Sequence, residues 1–87
     1  MKTLIVSIHD TATQAFGRPV FTHSSGQAIR SFTDEVNRED AGSDLYKHPD
    51  DFTLYLLGEF DDSTGHMQSL ATPSVLIRGK DARITKA

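Results

Sequence analysis

The stretch FTLYLLGEFDDSTGHM, residues 52–67, carries the most regular pattern in the chain. Apolar side chains recur at every second position from Phe52, which is the period of a β-strand with one buried face. The pattern is then interrupted by DDSTG, whose Asp, Ser and Gly residues favour turns. HMQSL, from His66, resumes the strand pattern. The stretch therefore predicts a β-hairpin that bends at residues 61–65.

Strand alternation predicts two faces for the sheet that contains this hairpin. TLIVSIHD, from Thr3, alternates in the same way, and PVFTH, from Pro19, predicts a short second strand. We expect one face to be covered by a helix and to carry Leu4, Val6, Leu54, Leu56 and Phe60. We expect the other face to carry Ile5, Tyr55, Leu57 and Glu59.

SSGQAIRSFTDEVNRED, residues 24–40, predicts the helix. Ser24 and Gln27 have the spacing of a capping box, and Ile29, Phe32 and Val36 form an apolar stripe. The order strand, strand, helix, strand, strand predicts an α+β fold: a small antiparallel sheet of about four strands with one helix packed on one face (ββαββ). TPSVLIRG, from Thr72, fits either a terminal strand or a helical turn.

Composition predicts one small domain with an uneven distribution of charge. The 87 residues carry a net charge of −3. The sequence from Arg78 onward has four Lys or Arg against one Asp, or +3, which leaves −6 for residues 1–77. We therefore predict a single α+β domain over 1–77 and a basic C-terminal tail over 78–87. The apolar runs, such as LIV and VLI, are too short for a membrane span or a signal peptide, which predicts a soluble protein that is not secreted.

The sequence gives no support for catalysis or for a metal site. The chain has no cysteine, and no glutamate follows DDSTG to complete a calcium loop. Its four histidines form no H-x-x-x-H pair, and neighbouring carboxylates on a helix or turn diverge. There is no G-x-S-x-G or phosphate-binding glycine motif. We therefore expect no enzyme activity, no metal and no cofactor.

The face of the sheet opposite the helix is the strongest candidate for function. Ile5, Tyr55 and Leu57 are too apolar for free exposure, which indicates a homo-oligomer interface. Alternatively, Tyr55 could stack on single-stranded bases. The phosphate contacts would then come from Arg78, Lys80, Arg83 and Lys86. The interface is favoured here, because base-binding sheets usually carry several aromatic residues and positive charge, whereas this face is expected to hold one aromatic residue beside Glu59.

The segments AFGRPVF, AIRSFTDEVNRED and HPDDFTLYLLGEFDDSTG together resemble the small nonstructural protein of gokushoviruses, the Microviridae subfamily with single-stranded DNA genomes. The resemblance is densest over residues 16–40 and 48–65 and weak at the C-terminus. It implies a nonstructural phage protein in the cytoplasm of the bacterial host, with DNA binding or a part in single-stranded DNA synthesis and packaging. It supplies no catalytic residues.

We therefore expect a non-enzymatic accessory protein that assists replication or packaging of a single-stranded DNA genome. It would act through contact with single-stranded DNA or with phage replication or procapsid proteins. The alternative is a homo-oligomeric adaptor between proteins that does not contact DNA.

Overall fold

The computed structural model describes residues 1–84, which form a curled antiparallel sheet with its helices on one face. The strands and helices follow one another in this order: β1 (Lys2–Asp10), β2 (Ala15–Phe16), β3 (Val20–Thr22), α1 (Ser25–Asn37), α2 (Asp44–Lys47), a 3₁₀ turn (Pro49–Asp51), β4 (Phe52–Asp61), β5 (His66–Arg78) and α3 (Gly79–Ala82). The predicted α+β class is confirmed. No helix among these residues is long and apolar enough to cross a bilayer.

Strand β1 is the centre of the sheet. It pairs with β4 along its whole length on one side, and β4 pairs in turn with β5. On its other side, β1 pairs first with β3 and then with β2. Strand β5 is therefore one edge of the sheet, and β2 and β3 share the other edge.

Helix α1 begins where the capping box predicted. The Gln27 backbone N–H donates to Ser24 Oγ over 3.1 Å, and the His23 N–H donates to Gln27 Oε1 over 3.3 Å. The first contact satisfies an amide that the first helical turn leaves without a partner, and the second ties the residue before the N-cap to the same turn. The helix packs its apolar stripe onto the sheet and forms a core of buried residues: Val6, Ala28, Phe32, Val36, Leu54 and Ala82.

The predicted hairpin is also confirmed, with its bend at residues 62–65. The Asp61 carboxylate accepts a hydrogen bond from the Ser63 N–H at 2.9 Å, and the Gly65 N–H donates to the Asp61 carbonyl at 2.7 Å. Gly65 has a φ of 78°, which glycine adopts without strain. Among residues 1–84, no group of three or more His, Asp or Glu is placed to hold a metal ion.

Strand β4 contains a bulge that changes which side chains share a face. Ile5 pairs with Gly58 and Val6 pairs with Leu56, so Leu57 is an extra residue with no partner in β1. Beyond the bulge the alternation is reversed. Phe60 pairs with Thr3 and lies on the face of Ile5, so its predicted position beneath the helix is wrong.

The C-terminal part of the described chain packs against α1. Strand β5 continues to Arg78 and is followed by α3, which resolves the two predictions for TPSVLIRG in favour of a strand. Gly79 and Ala82 are buried, and the Asn37 side chain donates to the Ala82 carbonyl at 2.9 Å. Residues 79–82, assigned above to a basic tail, are thus part of the packed fold. Lys86 lies outside the described residues.

Candidate nucleic-acid interface on the open sheet face

The face of the sheet opposite α1, here called the open face, is defined by the strand register. Among the described residues, the helices pack on the other face, where the core lies. Cross-strand partners share a face. The open face therefore consists of four rows: His9 with Phe16, Thr53 and Arg78; Ser7 with Tyr55 and Val75; Ile5 with Phe21, Gly58 and Ser69; and Thr3 with Phe60 and Met67.

Three rings gather at one end of the open face and form what we call the Tyr55 cluster: His9, Phe16 and Tyr55. The centroid of the Phe16 ring lies 4.8 Å from the centroid of the His9 ring and 5.2 Å from that of the Tyr55 ring. The His9 and Tyr55 centroids are 6.1 Å apart. All three pairs meet edge to face, the arrangement that aromatic quadrupoles favour. Phe16 remains 44% exposed, so the cluster presents ring surface to solvent.

A second aromatic group, here called the Phe21 patch, lies at the other end and consists of Phe21, Phe60 and Met67. The ring centroids of Phe21 and Phe60 are 5.7 Å apart, and Met67 is the partner of Phe60 in β5. Phe21 is 59% exposed and Met67 is 64% exposed. The patch joins the edge strand β3 to the β4–β5 hairpin.

The carboxylates of the paired strands lie on the helix side of the sheet. The register places Asp10 opposite Phe52, Glu59 opposite Leu4, and Asp61 opposite Lys2. Within the four rows of the open face, the formal charge is that of Arg78. The acidic character of the chain, with its net charge of −3, therefore does not extend to these rows.

These positions remove both sequence arguments against base stacking. The sequence was expected to place a single aromatic residue beside Glu59, whereas the open face carries four Phe or Tyr rings, and Glu59 is on the other face. Phe60 could not be found by simple alternation because of the bulge at Leu57. His9, in contrast, alternates regularly with Ile5 and Ser7 in the sequence, so the strand period alone was sufficient to place His9 on the open face.

The cations predicted to contact phosphate fall into different environments. Arg78 lies at the edge of the open face beside Thr53, and Lys80 is exposed on α3. Arg83 is engaged elsewhere: its Nη1 donates to the Tyr46 carbonyl at 2.6 Å and to the Val36 carbonyl at 3.4 Å. Its guanidinium carbon also lies 4.4 Å from the centroid of the Tyr46 ring. Arg83 thus stabilises the fold, and its surroundings do not favour a phosphate contact.

The residues predicted for an oligomer interface are less accessible than expected. Ile5 is 8% exposed, and Leu57 is half-buried at the bulge. Tyr55 is also half-buried, but it belongs to the Tyr55 cluster. The exposed apolar surface of the open face comes instead from Phe16, Phe21, Met67 and Val75.

A cleft of about 680 Å³ opens between α1 and the β1–β3 edge of the sheet, and its lining also includes Thr3, Ser7 and Phe21 at that edge. Val6, Ala28 and Phe32 form its floor, and Arg18 and Glu35 are among its polar lining. The floor residues are also members of the core. The cleft is therefore the unfilled margin of the helix–sheet contact, and nothing in its lining selects a particular ligand.

Comparison with known protein families gives one match. A family model described as Phage ORF5 protein matches residues 3–82, which include α1, the β4–β5 hairpin and the whole open face. No curated protein and no solved structure matches the chain.

Proposed function

We propose that this chain, which belongs to the Phage ORF5 protein family, is a non-enzymatic phage accessory protein that binds single-stranded DNA through the open face of its sheet. In this proposal it assists replication or packaging of a single-stranded DNA genome in the cytoplasm of the bacterial host. The single observation that carries the proposal is the Tyr55 cluster, whose rings lie on a face whose strand positions hold no carboxylate.

The chemistry of the cluster suits unpaired bases. Every base has a flat π face, so stacking on aromatic side chains tolerates any sequence and contributes about 1–3 kcal/mol per base. Bases within a duplex are already stacked on one another. A sheet face with exposed rings therefore distinguishes single strands from double strands without reading sequence.

The positions of two cations also favour DNA binding at the end of the sheet that carries the Tyr55 cluster. Arg78 lies in the row of His9, next to the Tyr55 cluster, where it can contact the phosphate that follows a stacked base. The exposed Lys80 follows two residues later on α3. With so few cations, we expect modest affinity in which stacking contributes more than phosphate contacts.

The test is a titration of a short fluorescent single-stranded oligonucleotide with the full chain. Phe16→Ala removes an exposed ring and should weaken binding by about 5-fold to 150-fold, the equivalent of one stacked base. Val20→Ala is the matched control, because Val20 is 55% exposed on the same edge of the sheet but faces the helix side. The control should bind as the wild type does, and a duplex of the same sequence should bind more weakly.

The phosphate contact is tested by the salt dependence. Arg78→Gln should make the slope of log affinity against log salt shallower by about 0.7, the value for one phosphate of a single strand. Arg30→Gln removes the same charge from the exposed side of α1 and should leave the slope unchanged. The proposal is wrong if the wild-type chain does not bind the oligonucleotide, or if Phe16→Ala binds with wild-type affinity.

A further inference from the structure

We infer that the Phe21 patch is the contact between two copies of this chain, which associate as a twofold symmetric dimer. The inference does not depend on DNA binding, because the patch lies at the other end of the open face from the Tyr55 cluster. It relocates the predicted oligomer interface from Ile5, Tyr55 and Leu57 to the exposed side chains of Phe21 and Met67 and the half-buried ring of Phe60 between them.

The first argument is surface area. The chain exposes 5918 Å² and is elongated, with extents of 47 × 24 × 20 Å. A compact monomer of 9.6 kDa is expected to expose about 5,100 Å². The excess over the whole chain is about 800 Å², and a standard protein interface buries an area of that size on each partner.

The second argument is the chemistry of the patch. The two rows that contain Phe21 and Phe60 carry no charged side chain. Homodimer interfaces are rich in aromatic residues and Met and poor in charge at their centre. A nucleic acid would need a cation at this end to balance its phosphates, and these rows provide none.

The third argument identifies the occupant as a second copy. Two chains of net charge −3 repel each other over most of their surface. They can approach most easily where the strand rows hold no carboxylate, as in the two rows of the Phe21 patch; the Asp62 carboxylate in the adjoining turn is paired with the N-terminal ammonium at 2.7 Å. In a twofold contact the same patch meets itself, so an uncharged, apolar patch is complementary to its own copy.

A dimer would have a consequence for the proposed function, and this step alone rests on that function. Each dimer would carry two Tyr55 clusters. Binding of one cluster to a long strand would raise the local concentration of DNA at the other and increase the overall affinity without any new contact.

The test is the molar mass of the full chain in solution, measured by light scattering and sedimentation over a range of concentrations. The wild type should have twice the chain mass of 9.6 kDa. Phe21→Glu should give the monomer mass. Val20→Glu is the matched control, because it places the same charge one residue away on the helix side and should remain dimeric.

Met67→Glu provides a second variant, in strand β5 of the hairpin, in case Phe21→Glu alters the short strand β3. Circular dichroism should show wild-type secondary structure for each variant used. A wild-type chain that remains monomeric at the highest concentration overturns the inference, as does a folded Met67→Glu or Phe21→Glu that stays dimeric. Phe16→Ala should keep the dimer mass, and monomeric Phe21→Glu should still bind a short oligonucleotide, so failure of either proposal can be recognised separately.

Discussion

Arg78 and Arg83 lie close together in sequence, and exchanging each for a neutral residue should affect different properties. Arg83→Met should lower stability and leave the DNA affinity of the folded chain close to the wild-type value. Arg78→Gln should lower the salt dependence of DNA binding and leave stability unchanged. Each substitution removes one positive charge, so the two variants are matched in net charge.

The size of the Arg83 effect follows from its contacts. A hydrogen bond from a charged donor contributes about 1.5–3 kcal/mol, and the bond to the Tyr46 carbonyl at 2.6 Å is short. The bond to the Val36 carbonyl is long, at 3.4 Å, and adds little. The guanidinium over the Tyr46 ring adds about 0.5–1 kcal/mol. Arg83 is half-buried, so water can partly replace it, and we expect a loss of about 2 kcal/mol.

The assay is thermal unfolding followed by circular dichroism. For a domain of this size, 1 kcal/mol corresponds to a shift of about 4–8 °C in the midpoint, so Arg83→Met should melt about 8–16 °C below the wild type. Arg83→Lys keeps the charge without the planar fork and should be intermediate. The interpretation of Arg83 fails if Arg83→Met melts with the wild type. It also fails if this variant, kept below its midpoint, loses as much salt dependence as Arg78→Gln.

Three further predictions concern the framework of the open face. Gly58→Ala should destabilise the chain by about 1–3 kcal/mol, because its Cβ would overlap the Gln68 carbonyl oxygen in β5. Gly26→Ala should instead stabilise α1 by about 0.5–1 kcal/mol, because a Cβ there meets only Ser24 Oγ at an ordinary contact distance of 4.0 Å. Urea midpoints measure both changes. Val36→Ala, at a fully buried position, should cost about 2–3 kcal/mol in the same assay. The Ser63 N–H holds the pKa of Asp61 below its ordinary value, so this carboxylate stabilises the hairpin above about pH 4 and its contribution is lost as the pH falls through the lowered pKa. Asp61→Asn should therefore reduce the dependence of the melting temperature on pH in that acidic range, and an unchanged acid profile would contradict the assignment.

The parts of the fold that were predictable from sequence are those with local signals. The turn residues of the β4–β5 hairpin and the capping box at Ser24 each act within a few positions, so they could be interpreted without knowledge of the rest of the chain. The contacts of Arg83 could not be predicted in this way. They join it to Val36 and Tyr46, 47 and 37 residues away, and a run of cations near a C-terminus is more often a solvated tail.

The composition of the open face depends on one residue that breaks the alternation. With regular pairing throughout β4, the open face would carry Tyr55, Leu57 and Glu59. The bulge at Leu57 places Gly58 and Phe60 there and turns Glu59 to the helix side. One carboxylate is thereby exchanged for one ring. Both proposals follow from that exchange, because a carboxylate between the aromatic groups would repel phosphate and would equally repel the same carboxylate of a second copy.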